Sequence, residues 1–135
     1  MPKQFHKHYN LQEARSLLPL VRRWLGELIR IRLAIHEHEN WSREQIGKGF
    51  DVGGHQTNAW IKDIAKFNEV SLEFRSRGIL LKDIDRGLID FPALRLGKEV
   101  LFCWELCESD ILYWHDLESG YSGRKPIDDL FQDDT

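Results

Sequence analysis

The chain has little of what marks a secreted, membrane-spanning or disulfide-stapled protein. Its 135 residues contain two cysteines, Cys103 and Cys107, and without a second cysteine pair this spacing is a poor zinc pattern. No apolar run approaches the roughly 20 residues that a membrane helix needs, and the start MPKQFHKHYN lacks the apolar core of a signal peptide. We therefore expect a cytoplasmic protein, with one cysteine in the core and the other in a turn.

The familiar nucleotide-binding and hydrolytic motifs are also missing. The sequence has no G-x-x-x-x-G-K-[ST] phosphate loop, no G-x-G-x-x-G dinucleotide turn, no H-E-x-x-H zinc helix and no G-x-S-x-G nucleophile elbow. The catalytic residues are therefore unknown, and the sequence leaves open whether the protein is an enzyme.

Charge is distributed unevenly along the chain. Residues 1–78 carry 13 Lys and Arg against 9 Asp and Glu, whereas residues 79–135 carry 6 against 13, for a net charge of -3. This asymmetry favours self-association over nucleic-acid binding, because nucleic-acid-binding domains are usually basic overall. The length and the 41% hydrophobic content are typical of one globular domain, 1–135.

The first helical pattern is predicted over 10–40. Asn10 is a favourable N-cap, and Glu13 three residues later completes the spacing of a capping box. Pro19 falls inside this pattern, where proline costs about 3 kcal/mol in a helix interior. The sequence therefore predicts either a kink at this proline or a short first helix that ends near Leu18.

A second helix is predicted over 57–78, after a glycine-rich connector at 47–58. Thr57 or Asn58 would cap its start, and Gly78 would stop it. Both helices carry apolar stripes at alternating spacings of four and three, which predicts an antiparallel helical hairpin.

From residue 79 the period changes from helical to alternating, which predicts a four-stranded antiparallel meander over 79–116. The predicted strands are 79–82, 88–91, 99–106 and 111–116, followed by turn and tail over 117–135. Gly87 supplies a left-handed turn residue, and Pro92 is expected to end the second strand. The fold class is α+β: a long antiparallel helical hairpin packed on a small four-stranded antiparallel β-meander.

A four-residue loop at 107–110 would set the register of the last hairpin. It places Trp104 opposite Tyr113 and Phe102 opposite His115, on a face that packs against the helices. The opposite face is more polar and is the better place for a site; its members are Leu101, Cys103, Glu105, Leu112, Trp114 and Asp116. A loop of another length would change this pairing.

Polar and aromatic side chains crowd the C-terminal third. The candidate ligand-binding residues are Arg124, His115, Trp114, Asp116 and Glu105. His115 is either a histidine at the core edge or a group suited to proton transfer. Arg124 follows two glycines, so its turn either binds a phosphate or carboxylate or pairs internally with a carboxylate of the domain, such as Asp83, Asp90 or Asp116.

A weaker pattern concerns a divalent metal. Asp83, Asp85 and Asp90 lie close in sequence and would form a Mg²⁺ or Ca²⁺ site if Glu105 or Glu108 completed it. The alternative is that these carboxylates cap a tight turn.

Several long motifs resemble a known family. They are F-x-x-x-x-x-L-Q-E-A-R-x-L-L-P-L at the start, then G-I-x-L-K-D-x-D-x-G-L-I-D-F-P, V-L-F-C-W-E-L and Y-W-H-D-L-E-S-G-Y-S-G-R-K-P. Over roughly residues 5–127 the chain is similar to the bacterial family known as domain of unknown function 2203. Cys107 stands where that family's pattern leads us to expect glycine. The resemblance implies no activity, because none is assigned to the family.

Two classes of function follow from these patterns. The first is a non-enzymatic interaction or scaffold protein that forms a homo-oligomer through its helical stripes, with coiled-coil-like packing. The alternative is a protein that binds a small ligand (an anion or phosphate) or a divalent metal, with a hydrolase as one form of it. In that case the site lies in the C-terminal third. Neither a membrane nor a nucleic acid is an expected partner.

Overall fold

Residues 3–50 and 53–127 are described by a computed structural model of the protein. The elements in order are α1 (Leu11–Ser16), α2 (Leu18–Gly47), α3 (His55–Ser76), β1 (Leu80–Asp83), β2 (Leu88–Arg95), β3 (Lys98–Trp104), β4 (Tyr113–Asp116) and β5 (Lys125–Pro126), with a 3₁₀ turn at Tyr121–Gly123. The α+β class is confirmed, but the antiparallel sheet has five strands in the order β1-β2-β3-β4-β5. The extra strand, β5, falls where a turn was predicted, and the predicted tail over 128–135 lies outside the described residues.

The start of the chain folds as its local signals predict. Glu13 N donates to Asn10 Oδ1 at 2.8 Å and Asn10 N donates to Glu13 Oε1 at 3.0 Å, which forms the predicted capping box. α1 then ends at Ser16, and Pro19 falls in the first turn of α2. A proline there loses no helical hydrogen bond, so the predicted break near Leu18 is confirmed.

The end of α2 and the start of α3, which flank the glycine-rich connector, differ from the prediction. α2 runs on to Gly47, past the predicted end near residue 40, because neither glycine nor proline occurs between residues 40 and 46. α3 begins at His55 with Gly54 as its N-cap, so neither Thr57 nor Asn58 caps it.

α3 ends at its C-terminus in a Schellman motif, and the predicted stop at Gly78 is confirmed. Gly78 has φ of +72°. Its N–H donates to Arg75 O at 3.1 Å, and Ile79 N donates to Phe74 O at 3.0 Å. The left-handed glycine turns the chain directly from α3 into β1.

The hydrophobic core lies between the helices and one face of the sheet. The helices contribute Val21, Trp24, Leu25, Leu28, Val70 and Phe74, and the sheet contributes Ile89, Phe91, Ala93, Val100, Phe102, Trp104 and Trp114. Burying each large apolar side chain contributes about 1.5–3 kcal/mol. This layer therefore determines which sheet face points towards the helices and which points away.

Pro92 lies inside β2, so the prediction that it ends the strand is wrong. It is paired with Leu101 of β3 on one side. On the other side β1 pairs only as far as Asp90, and Tyr9 N donates to Pro92 O at 2.7 Å. The proline has no N–H to donate, but at this point there is no β1 residue opposite that would accept one.

The register of β3 and β4 is shifted by one residue from the prediction. Leu101 is opposite His115, and Cys103 is opposite Tyr113. The connection is not four residues long but covers 105–112, because β3 stops at Trp104. Trp104 Nε1 there donates to Glu108 O at 3.2 Å. The shift puts Trp114 in the core and moves the residues on either side of it to the other face.

α2 and α3 pack side by side and extend beyond the core. From residue 32 to 47 of α2 and from 55 to 69 of α3, none of the side chains that the structure describes is buried. We call these two segments the helical arm; the α2 part spans about 24 Å. None of the described helices is both long and apolar enough to cross a membrane.

Candidate functional site

The sheet face turned away from the helices carries the candidate site; we call it the outer face. Asp90 of β2 is paired with Cys103 of β3, and Cys103 is paired with Tyr113 of β4. His115 of β4 is paired with Leu101, which lies two residues before Cys103 in β3. Alternation along the strands points these five side chains away from the helical core.

Three polar side chains on this face are buried together. Asp90 is 2% exposed, Cys103 is 1% exposed and His115 is 3% exposed. One potential metal-ligand atom from each lies within 4.8 Å of the other two. The searched part of the chain, 3–50 and 53–127, holds no other such group of three. Burial of three polar groups needs compensating partners, so their hydrogen bonds decide what the group can do.

The imidazole of His115 is held at both nitrogens. Nδ1 donates to Asp116 O at 2.7 Å, since a carbonyl oxygen only accepts. Nε2 lies 3.2 Å from Asp90 Oδ1. The Asp90 hydrogen bond raises the pKa of His115 above its ordinary value of 6.5, against the opposing effect of burial. Nε2 is therefore the nitrogen that faces Asp90.

Cys103 is the third member, and its thiol is protonated at neutral pH. Burial, followed by the charge of Asp90, raises the pKa of Cys103 to about 12. A cysteine nucleophile needs a lowered pKa and a neighbouring base. The group therefore does not support a hydrolase that would use this cysteine. Both cysteines are free, Cys103 buried and Cys107 exposed, as predicted for a core thiol and a turn thiol.

Arg124 lies beside this group and is paired internally. Its Nη2 donates to both carboxylate oxygens of Glu108 at 2.7 Å, and its Nη1 lies 3.9 Å from Glu105 Oε2. The guanidinium also stacks 4.0 Å above the Tyr113 ring centre. Arg124 thus pairs internally with domain carboxylates, but these are Glu108 and Glu105 of the 105–112 connection and not the aspartates named as examples.

Glu105 completes a charge network with two further residues. Arg86 Nε donates to Glu105 Oε1 at 2.8 Å, and the Tyr121 hydroxyl donates to Glu105 Oε2 at 3.0 Å. Two arginines thus face two glutamates, and the cluster is neutral in itself. The predicted anion site at Arg124 gains no support, because these carboxylates balance the positive charge that would attract a phosphate.

The three aspartates of the predicted Mg²⁺ or Ca²⁺ site are not brought together. Asp83 Oδ1 accepts from Arg86 N at 3.2 Å, which caps the turn. Asp85 is exposed, and its Oδ1 lies 3.8 Å from Arg32 Nε. Asp90 is buried on the outer face. Turn capping, the alternative, therefore accounts for Asp83.

The other two predicted ligand residues lie apart from the buried group. Asp116 is exposed, with Oδ2 3.4 Å from Lys125 Nζ. Trp114 belongs to the core, where it packs from the helix side of the sheet. Of the predicted site residues, the structure brings together Asp90 and His115 in one group, and Arg124 and Glu105 in the next.

The family comparison agrees with the motifs. The model of an uncharacterized conserved protein family, DUF2203, matches residues 7–127. Neither the curated proteins nor the solved structures gave a match. The matched region contains all three helices, all five strands and the buried group. The chain therefore belongs to the DUF2203 family of uncharacterised conserved proteins.

Proposed function

We propose that the protein is a non-enzymatic interaction protein that forms a homodimer through its helical arm. The observation that carries this proposal is the length of paired helix that lies outside the core. Two helices expose most of their own apolar surface, so isolated helical hairpins are stabilised by packing against further helices.

The contact line between the two arm helices has coiled-coil spacing. The half-buried side chains of the arm include Ile35, His38 and Ser42 on α2 and Trp60, Ile64 and Phe67 on α3, each set spaced by three and four residues. Phe67, at the base of the arm, packs against the core. The His38 ring stacks on the Trp60 ring with centres 5.5 Å apart. Spacings of three and four residues are those of helices that cross at a shallow angle and can add further helices alongside.

Apolar side chains outside this contact line are exposed. Ile61 of the arm is 53% exposed. Leu72, which is also 53% exposed, lies on the same side of α3 just beyond the arm. Leu33 and Ile46 of α2 are 56% and 61% exposed. Large apolar side chains grouped on one projecting element are typical of an interaction surface.

The charges of the arm favour a second copy of the same chain as the occupant. Its two segments contain four Lys and Arg and five Asp and Glu, so both signs are interspersed and nearly balanced. A strongly acidic or basic partner would meet no complementary field, whereas two identical mixed-charge arms can pair in opposite directions. The arms would together form a four-helix bundle with coiled-coil-like packing.

The arm carries a groove into which side chains of the second arm would pack. It has a volume of about 360 Å³ and is lined by His38, Ser42, Thr57 and Trp60, among others. A reducing compartment such as the cytoplasm suits such a protein, since both cysteines are free.

Light scattering coupled to size exclusion, across the micromolar range, tests this proposal. We expect a dimer for the wild-type protein and a monomer for the double variant Ile46→Glu, Ile61→Glu, because two buried carboxylates per arm would oppose association. Circular dichroism should show the same helix content in both.

Leu112→Glu is the matched control, since Leu112 is 44% exposed and lies outside the arm. It should remain a dimer. A wild-type monomer throughout the range, or a dimer that Leu112→Glu disrupts and the arm variant does not, would overturn the arm as the interface.

A further inference from the structure

We propose that Asp90, Cys103 and His115 form a site for one Zn²⁺ ion on the outer face of the sheet. The site is separate from the helical arm, and it joins the three central strands β2, β3 and β4. Neither the Asp83–Asp85–Asp90 pattern nor the Cys103–Cys107 spacing predicts it, because the ligands come from three strands.

The ligand types are those that Zn²⁺ prefers. Thiolate, imidazole and carboxylate are the three donors found in zinc sites, whereas Mg²⁺ and Ca²⁺ take oxygen ligands. A thiolate in particular selects a softer metal. Three protein ligands leave the fourth tetrahedral position for a water molecule.

The distance between the nitrogen and oxygen donors fits tetrahedral coordination. His115 Nε2 and Asp90 Oδ1 are 3.2 Å apart. Two ligands bound to Zn²⁺ at about 2.0–2.1 Å in a tetrahedron are about 3.3 Å apart. All three donor atoms lie within 4.8 Å of one another. Small rotations of the Cys103 side chain would therefore complete the set without moving the strands.

The His115 ring already has the orientation of a metal ligand. Its Nδ1 donates to the backbone carbonyl of Asp116 at 2.7 Å, and its Nε2 faces the other two donors. Zinc-bound histidines nearly always donate their second nitrogen in this way, which fixes both the tautomer and the ring plane.

Charge balance favours a divalent ion. Binding of Zn²⁺ would displace the thiol proton of Cys103 to solvent, because the metal takes the thiolate as its ligand. The ion would then face one thiolate and one carboxylate, so the occupied site is neutral overall and can be buried. The nearby cation Arg124 is already paired with Glu108 at 2.7 Å. The site therefore needs no further counter-charge.

The test uses the full-length, reduced protein loaded with Zn²⁺ and dialysed against metal-free buffer. We expect one Zn²⁺ retained per chain by mass spectrometry. Replacement with Co²⁺ should give the strong visible bands of tetrahedral cobalt together with a thiolate-to-cobalt charge-transfer band. Cys107→Ser is the matched control: it removes the exposed thiol, so a charge-transfer band that persists must come from Cys103.

Ligand variants complete the test. Cys103→Ser and His115→Gln should weaken Zn²⁺ binding by at least about 100-fold, the upper end of what is lost with an outer-sphere partner. Both positions are buried, so if a ligand variant unfolds, the cobalt spectrum of the Cys107→Ser protein decides alone. Loss of the metal on dialysis, octahedral cobalt without a thiolate band, or unchanged Zn²⁺ retention in folded Cys103→Ser would each overturn the site.

Discussion

His8 and Glu99, which are 91 residues apart in the chain, join the N-terminal segment to the sheet: His8 Nε2 lies 2.7 Å from Glu99 Oε2. The same carboxylate accepts from Gln4 N at 2.7 Å and from Phe5 N at 3.0 Å. Its side chain is only 8% exposed. The Glu99 carboxylate of β3 thus binds three polar groups of a segment that has no helix or strand of its own.

Glu99→Gln should destabilise the protein by about 1–3 kcal/mol, because two backbone donors and the imidazole lose a charged acceptor. Urea unfolding followed by circular dichroism measures this loss. Glu118→Gln, at an exposed position, is the control and should change stability by less than about 0.5 kcal/mol. Equal effects of the two variants would show that the N-terminal segment contributes nothing to folding.

Stability should also fall in acid partly through Glu99. Although burial acts to raise it, the hydrogen bonds from His8, Gln4 and Phe5 together lower the pKa of Glu99 below its ordinary value of 4.5. A carboxyl with a lowered pKa in the folded state stabilises the fold above its unfolded pKa and loses this contribution as pH falls through the folded pKa. The melting temperature of wild type should therefore approach that of Glu99→Gln as the pH falls below about 4. A constant gap between the two from neutral pH to acid would contradict this assignment.

Gly87→Ala should be strongly destabilising, because Gly87 is needed twice. Its φ is +65°, and a Cβ there would lie 2.5 Å from Leu106 Cβ. The left-handed backbone costs a non-glycine residue about 1–2 kcal/mol, and the overlap adds about 1–3 kcal/mol. Thermal unfolding measures the sum.

Gly97→Ala separates these two costs. Gly97 has φ of +77°, but nothing lies within 4 Å of its added Cβ. It should therefore show the backbone cost alone and be the milder of the two changes. A larger loss at Gly97 than at Gly87 would mean that contact with Leu106 does not hold the 105–112 connection in place.

Local chemistry explains which parts of the fold could be predicted from the sequence. Asn10 with Glu13, and Gly78, act through hydrogen bonds within a few residues of themselves, so their positions along the chain were sufficient. The α+β class followed from the change of period at residue 79, which is equally local.

The register of the last hairpin could not be predicted because its loop is held by a distant turn. Leu106 N donates to Gly87 O at 3.1 Å, which draws the chain out of β3 two residues earlier than its apolar pattern indicates. A one-residue shift follows, and it moves His115 from the predicted helix side to the side of Cys103. The site prediction therefore contained Asp90 and His115 but not the cysteine between their strands.

Asp90 is itself a sequence signal for the buried group. Asp90 lies between Ile89 and Phe91 in a strand whose neighbours are apolar, and a carboxylate in that context must be buried with a partner. The identity of the partner depends on strand pairing across 25 residues, which separates Asp90 from His115. No spacing rule reaches that far.

Arg124 and Glu108 should be energetically coupled. Their side chains are 12% and 14% exposed, and Arg124 Nη2 lies 2.7 Å from both Glu108 oxygens. Arg124→Met leaves the glutamate charge unpaired, Glu108→Gln leaves the arginine charge with only the more distant Glu105, and the double variant removes both charges. A double-mutant cycle from urea unfolding should give a coupling energy of about 0.5–3 kcal/mol.

The exposed Lys7–Glu13 pair, 3.3 Å apart, is the control and should couple by less than about 1 kcal/mol. Strictly additive losses at Arg124 and Glu108 would show that this pair does not hold the Tyr121–Gly123 turn against the outer face.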